Sequence, residues 1–165
     1  PNKVWLSDIT YIPTNHGWVY LAVIMDAHTR KIIGWSLKKH MEKSLVIGAL
    51  RSALCSLQQK PHGIVLHSDR GSQYASSAYR RILKKYELKQ SMSGKGDCWD
   101  NAPMESFFDS IKTEHISGEK FDNLADAQSS IFEWIEIFYN RQRLHSSLGY
   151  QSPACFESRY MTESA

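Results

Sequence analysis

The alternation of apolar and polar positions at the start of the chain predicts three strands. Residues 4–12 alternate, with Asp8 on the same face as Val4, Leu6 and Thr10. Residues 18–25 are apolar on both faces, as a central strand covered from either side requires. Residues 31–37 make the third, after a turn at Asp26-Ala27-His28-Thr29. The short loops, Asn15-His16-Gly17 first, predict an antiparallel meander. The period then becomes helical: over 42–59, Leu45, Val46, Ala49, Ala53, Leu54 and Leu57 recur at helical spacing, until Pro61 and Gly63. Ile64-Val65-Leu66 reads as a buried strand ending at His67-Ser68-Asp69. A helix over 76–86, a short strand over 88–91 and a Ser- and Gly-rich mobile loop over 92–101 follow. Asn101 and Pro103 then open a helix, with a capping side chain and a proline in the first turn. It carries Glu105 and runs to about Thr113; a last helix, over 123–141, is expected to bury Leu124, Ile131, Ile135 and Phe138.

The resulting order, βββαβαβαα, resembles that of the ribonuclease H-like, retroviral integrase-like α/β fold, a mixed sheet of five strands flanked by helices. With neither an internal repeat nor a long linker, residues 1–165 read as a single domain. A fold of this kind does not by itself settle function.

Composition narrows the field. Hydrophobic residues make up 42% of the chain, so a packed core is expected rather than disorder, and no run of eighteen apolar residues offers a membrane span. Three well-separated cysteines, Cys55, Cys98 and Cys155, without a CxxC pair, fit a reducing, cytoplasmic setting and argue against a disulfide framework or a structural zinc site. The opening Pro1-Asn2-Lys3-Val4-Trp5 has no initiator Met and no signal peptide, and an upstream segment is expected to have been removed. Net charge is only +3, but seven basic residues stand against one acidic between Arg70 and Lys95. Ten acidic residues stand against two lysines between Asp97 and Glu136. That division suits a surface holding a polyanion beside a metal site, or equally two solvated helix faces of opposite sign.

Three carboxylates carry the chemistry. Asp8 lies mid-strand among apolar neighbours, where an ionised carboxylate is costly unless something positive meets it. Asp69 stands at the C-terminal end of the fourth strand, where open α/β sheets present ligands, or else caps the Gly71-Ser72 turn. Glu105 sits in the first turn of a helix, whose dipole favours an ionised acid. Pairing the first and fourth strands would bring Asp8 and Asp69 together, with Glu105 laid across them. Three hard oxygen donors describe a Mg²⁺ or Mn²⁺ site rather than zinc. Two such ions, about 3.5–4 Å apart, suit in-line phosphoryl transfer. Without metal the carboxylates repel one another, so Glu105 and the 92–101 loop are expected to be displaced.

The long blocks around these acids are specific. His67-Ser68-Asp69-Arg70-Gly71-Ser72-Gln73-Tyr74, Ser91-Met92-Ser93 and Asp100-Asn101-Ala102-Pro103-Met104-Glu105-Ser106-Phe107-Phe108 resemble the second-aspartate and glutamate blocks of DDE transposases, in the integrase core of the insertion-sequence family numbered three (OrfB type). Trp5-Leu6-Ser7-Asp8-Ile9-Thr10-Tyr11 resembles the first-aspartate block, and thirty-five residues lie between Asp69 and Glu105, the family's interval. Tyr139-Asn140-Arg141, Arg143, His145-Ser146, Leu148-Gly149-Tyr150 and Ser152-Pro153 resemble its closing motif. Asp97 and Trp99 depart from the Asn and Tyr expected there. The family's upstream helix-turn-helix region is not part of this chain.

The resemblance implies Asp8, Asp69 and Glu105 as catalytic metal ligands, with transposon ends and target DNA as substrates. It also implies a homo-oligomer in the active complex and a bacterial protein acting at the nucleoid. Water would free a 3′-hydroxyl at the element end; that hydroxyl would attack a second phosphodiester, by way of a circular intermediate formed by donor-strand joining. Lys112, two turns beyond Glu105, is a candidate for a DNA phosphate contact, as are Lys95 and Arg70 in the basic stretch; a solvated surface lysine is the alternative reading of the first two. His67 either orients Asp69 or is a structural histidine, and Asn101 more readily caps its helix than touches the site. Arg141, Arg143 and His145 either bind phosphates or fasten the C-terminal helix, and Trp99 either stacks on a base or anchors its loop. The rivals are a ribonuclease H-like nuclease that hydrolyses without joining and a domesticated DNA-binding module. A serine or cysteine hydrolase is disfavoured by the lack of GxSxG and of a convincing Cys–His pair.

Overall fold

The computed structural model describes residues 1–57, 61–92 and 101–163. Strands β1 (Val4–Thr14), β2 (Gly17–Asp26) and β3 (Ile32–Lys38) form the antiparallel meander. Helix α1 (Lys43–Ser56) crosses back to β4 (Val65–Ser68), and α2 (Ser77–Lys85) to β5 (Lys89–Met92). Both returning strands run parallel to β1, and the sheet order is β3-β2-β1-β4-β5. This is the expected mixed five-stranded sheet.

The pleat sorts the core into two layers. Val19, Leu21, Val23 and Met25 of β2 join Leu6 and Ile12 on one face, while Ala22 and Ile24 join Trp5 on the other. Such a two-sided strand reads in sequence as one continuous apolar run. The second face packs on α1 and α2 through Leu45, Val46, Ala49 and Leu83. Helix α1 rides close over β3: a Cβ on Gly34 would stand 2.5 Å from the Ala49 carbonyl and 2.7 Å from the Ala53 Cβ. Glycine permits that approach.

The first face is covered by α3 (Ala102–Ile111) and α4 (Leu124–Phe132). Each continues into a wider π-helical segment, Lys112–Ile116 and Glu133–Tyr139 respectively. The last segment corrects the expected core. Trp134, Ile135 and Tyr139 are buried while Phe138 is 38% exposed, and Leu124 is only half-buried. Widening the helix turns Tyr139 inward in place of Phe138. Asn140 follows, itself buried, and grips the sheet edge at β3. Its Oδ1 accepts from the Ile32 N–H and its Nδ2 donates to the Ile32 carbonyl, both at 2.9 Å. A final helix, α5 (Pro153–Glu163), was absent from the sequence expectation, which stopped at the β…αα order. It docks through Lys31–Glu157 and through His28, which meets the rings of Phe156 and Tyr160.

Candidate active site

Parallel pairing of β1 and β4 builds the site. The register runs Val4 with Val65, Trp5 with Leu66, Leu6 with His67 and Ser7 with Ser68. One residue beyond the last paired positions come Asp8, within β1, and Asp69, directly after β4, and the charge of Asp69 reaches Asp8. From behind, the Ser7 Oγ lies 3.1 Å from the buried Tyr74 hydroxyl, tying this end of β1 to the loop after Asp69. Asp69 itself is exposed and its Oδ1 accepts from the Gly71 N–H at 2.9 Å. Gly71 sits close beneath it: a Cβ there would come within 3.0 Å of the same Oδ1 and 2.8 Å of the Gln73 Oε1, both ends of side chains that can shift. The turn-capping alternative for Asp69 is thus realised together with its place beside Asp8.

Glu105 is exposed in the first turn of α3, which Met104, Phe107, Phe108 and Ile111 anchor in the core. Asp8 is the half-buried member. Desolvation raises its pKa from 3.8 to about 6; the Ile9 N–H, 2.8 Å from Oδ1, opposes this, and the charges of Asp69 and Glu105 add to it. Lys112 lowers it in turn. The charges of Asp69 and Glu105 thus reach Asp8 through space, with a cation alongside. Among the described residues, however, no three acidic, His or Cys side chains stand close enough together to hold an ion as they are. Glu105 is turned to solvent. The donor set nevertheless fits a hard divalent cation: oxygen ligands only, one of them half-buried and raised in pKa chiefly by desolvation.

Asn101 corrects the capping expectation. Its side chain makes no cap hydrogen bond to α3; instead Nδ2 donates to the Asp8 Oδ2 at 3.0 Å, and Oδ1 is buried without a hydrogen-bond partner among the described residues. Position 101 lies four residues before Glu105, hence on the same helical face, and that spacing was the signal available in the sequence. Lys112 places its Nζ 5.1 Å from the centre of the Tyr11 ring, a contact the sequence reading did not foresee. His67 reaches across to β5, its Nδ1 3.0 Å from the Ser91 Oγ.

The remaining candidates lie elsewhere. Arg70 and Arg141 are exposed. Arg143 is fastened to the end of α3: Nη2 and Nε hold Glu114 at 2.6 and 2.8 Å, and Nη2 also meets the Ser110 Oγ at 3.1 Å. Of the two roles open to Arg143, this geometry realises the fastening one. Lys95 and Trp99, with the loop expected at 92–101, fall outside the described residues apart from the loop's two ends. Cys55 and Cys155 are exposed free thiols, and no described helix is long and apolar enough to cross a membrane.

A parallel β1–β4 pair ending in two aspartates, with a glutamate-bearing helix over it, defines a ribonuclease H-like core with an acidic centre. The chain belongs to the integrase core domain family: one family model of that description matches residues 1–98 and a second matches 86–153. It is 51% identical over 160 residues to the insertion element IS600 uncharacterized 31 kDa protein of Shigella sonnei, covering 97% of this chain and 58% of that one. It is 46% identical over 157 residues to the transposase for insertion sequence element IS904 of Lactococcus lactis, covering 95% and 62%. To transposase InsF for insertion sequence IS3A of Escherichia coli K12 it is 45% identical over 159 residues, covering 96% and 55%. The chain thus spans between 55% and 62% of the length of these relatives.

Solved structures share the fold at low identity. The simian T-cell lymphotropic virus intasome, in complex with a PP2A regulatory subunit, aligns with TM-score 0.75 and 17% identity over 94% of this chain and 54% of that one. The HTLV-2 integrase catalytic core domain in complex with magnesium, in its trimeric form, aligns with TM-score 0.69 and 17% identity over 94% and 96%.

Proposed function

We propose that residues 1–165 act as the catalytic core domain of an insertion-sequence transposase, cleaving DNA strands and transferring them to new phosphodiesters. Asp8, Asp69 and Glu105 are its metal ligands. The observation that supports this reading is the β1–β4 pairing, with half-buried Asp8 and exposed Asp69 one residue beyond its last paired positions and the charges of Asp69 and Glu105 raising the Asp8 pKa. The metal is Mg²⁺ or Mn²⁺, bound as a pair during catalysis; magnesium in the related HTLV-2 core supports the choice of a hard cation. When bound, the ions supply Lewis acidity to the attacking and leaving oxygens of an in-line displacement.

The protein's own groups prepare that step. Asp8 loses its proton on the way to becoming a ligand, and Asn101 fixes which of its oxygens faces the centre. Asp69, held by the Gly71 turn, and Glu105, carried on a core-anchored helix, present their oxygens from opposite sides. Lys112 stands beyond the carboxylates, propped on Tyr11, where it meets a phosphate of the bound strand. Water attacks first and expels a 3′-hydroxyl; that hydroxyl then attacks a second phosphodiester and expels a second 3′-oxygen. No covalent protein–DNA link is required. Transposon ends and target duplex are the substrates, a homo-oligomer is the working form, and the setting is the bacterial cytoplasm at the nucleoid.

The test uses labelled duplex bearing an element end with Mg²⁺ or Mn²⁺, comparing the wild type with Asp69→Asn. Joined products that disappear in the variant are expected. Cleavage without joining would favour a hydrolytic nuclease, and metal-independent binding without cleavage would favour a DNA-binding module.

A further inference from the structure

Beside α3, on the flank next to Glu105, lies a cavity of about 320 Å³ to which the reading above gives no role. The β2–β3 turn, the flank of α3 and the closing motif meet there, so three separate parts of the chain supply its wall: Arg30, Ser106, and Arg143 with His145 and Ser146. Its volume is at the lower end for small-ligand clefts, and its chemistry is that of an anion receptor.

Four features point the same way. Arg30 is half-buried, yet no carboxylate or other side-chain partner engages its guanidinium among the described residues. A buried cation without a counter-charge is unfavourable unless a ligand supplies one. Arg30 also holds a left-handed backbone, φ 61°, a strain that a long β-region side chain does not normally bear. His145 has its Nε2 buried without a hydrogen-bond partner among the described residues. Burial first, and then Arg143 and Arg30, lower the pKa of that imidazole to about 4, which marks the cavity as positive in potential. Arg143 is neutralised by Glu114, so Arg30 supplies the net charge. Hydroxyls of Ser106 and Ser146 complete a donor-rich lining around one uncompensated guanidinium.

We infer that this cavity is a phosphate subsite, in which Arg30 and the His145 Nε2 take a phosphodiester of the DNA strand that runs over α3. Arg30 forms the charge-assisted fork and the neutral imidazole, protonated at Nε2, donates the second hydrogen bond. The subsite rests on the DNA reading above but adds a second point of grip, displaced along α3 from the carboxylates. Its task is to set the register of the strand rather than to take part in bond breaking. The uncompensated charge of Arg30 and the unsatisfied nitrogen of His145 are both met by the same ligand.

The experiment has two arms, each on the 165-residue chain. In the first, inorganic phosphate is titrated while the His145 ring resonances are followed by NMR, for wild type, Arg30→Gln and Arg30→Lys. A saturable shift in wild type is expected, weakened at least about tenfold in Arg30→Gln and largely kept in Arg30→Lys. In the second, DNA affinity is measured against salt. Arg30→Gln is expected to lower the slope of log K against log salt by about 0.9, one phosphate contact, and Arg30→Lys to restore it. Unmoved His145 resonances with an unchanged slope would overturn the inference even where the wild type cleaves DNA. A His145 response with an unchanged DNA slope would assign the cavity to a free anion and overturn the phosphodiester assignment. Loss of DNA cleavage and binding by the wild type would instead count against the catalytic reading, since the phosphate titration is read independently of it.

Discussion

Asp8 is where stability and chemistry conflict most openly. Desolvation of this half-buried carboxyl group raises its pKa from 3.8 to about 6. The folded chain therefore binds that proton more tightly than the unfolded one, and between these two values stability falls as pH rises. Above pH 6 the loss is complete. Asp8→Asn removes it, so in EDTA the variant is expected to melt higher than wild type by an amount worth roughly 1–3 kcal/mol, with the gap opening between pH 4 and 6. Thermal denaturation across pH reads this directly; equal melting at pH 8 would contradict it. The same variant is expected to lose strand joining. Asp8 was legible in the sequence because a charged residue interrupts an apolar strand face. Asn101 was legible as a cap or a site contact, with the cap preferred, since its contact with Asp8 depends on how α3 sits over the sheet. Its spacing from Glu105 was the one local sign of that contact. Arg30 carried no signal at all: its conformation and its cavity arise from segments more than seventy residues away.

Elements were read well where their periodicity was unbroken. β2 declared itself as a central strand, and β1, β4 and β5 gained their places from the loops and helices between them. The two π-helical segments were not legible, because a helix that widens keeps the same residue types while shifting which of them face inward. Phe138 and Tyr139 exchange roles for that reason. α5 was missed because its residues Pro153–Glu163 mix polar and aromatic positions without a sustained apolar stripe. The closing motif, recognisable as a block, concealed separate tasks for its members. Asn140 clamps the edge of β3, Arg143 braces Glu114, and His145 lines a cavity. Asn140→Ala leaves both the N–H and the carbonyl of buried Ile32 unsatisfied. The expected cost is about 2–4 kcal/mol, seen in denaturant unfolding as a lowered midpoint at constant slope. A change below about 0.5 kcal/mol would show that water replaces the clamp.

At the scale of the whole molecule, the fold works by bringing distant stretches of chain to one end of the sheet. β1 contributes Asp8, the parallel return of β4 contributes Asp69 sixty-one residues later, and α3 swings Glu105 over them. The β1–β4 ladder ends one residue before the two aspartates, and Glu105 faces solvent on a core-anchored helix. In the reading proposed above, a bound cation would offset the carboxylates and draw Glu105 in. The most direct measurement is anomalous diffraction from crystals grown with Mn²⁺. The account predicts a manganese peak bridging Asp8 and Asp69, with Glu105 drawn in beside it and the Asn101–Asp8 contact kept. No peak at that end of the sheet, or manganese bound there with Glu105 still turned to solvent while joined DNA accumulates, would contradict it.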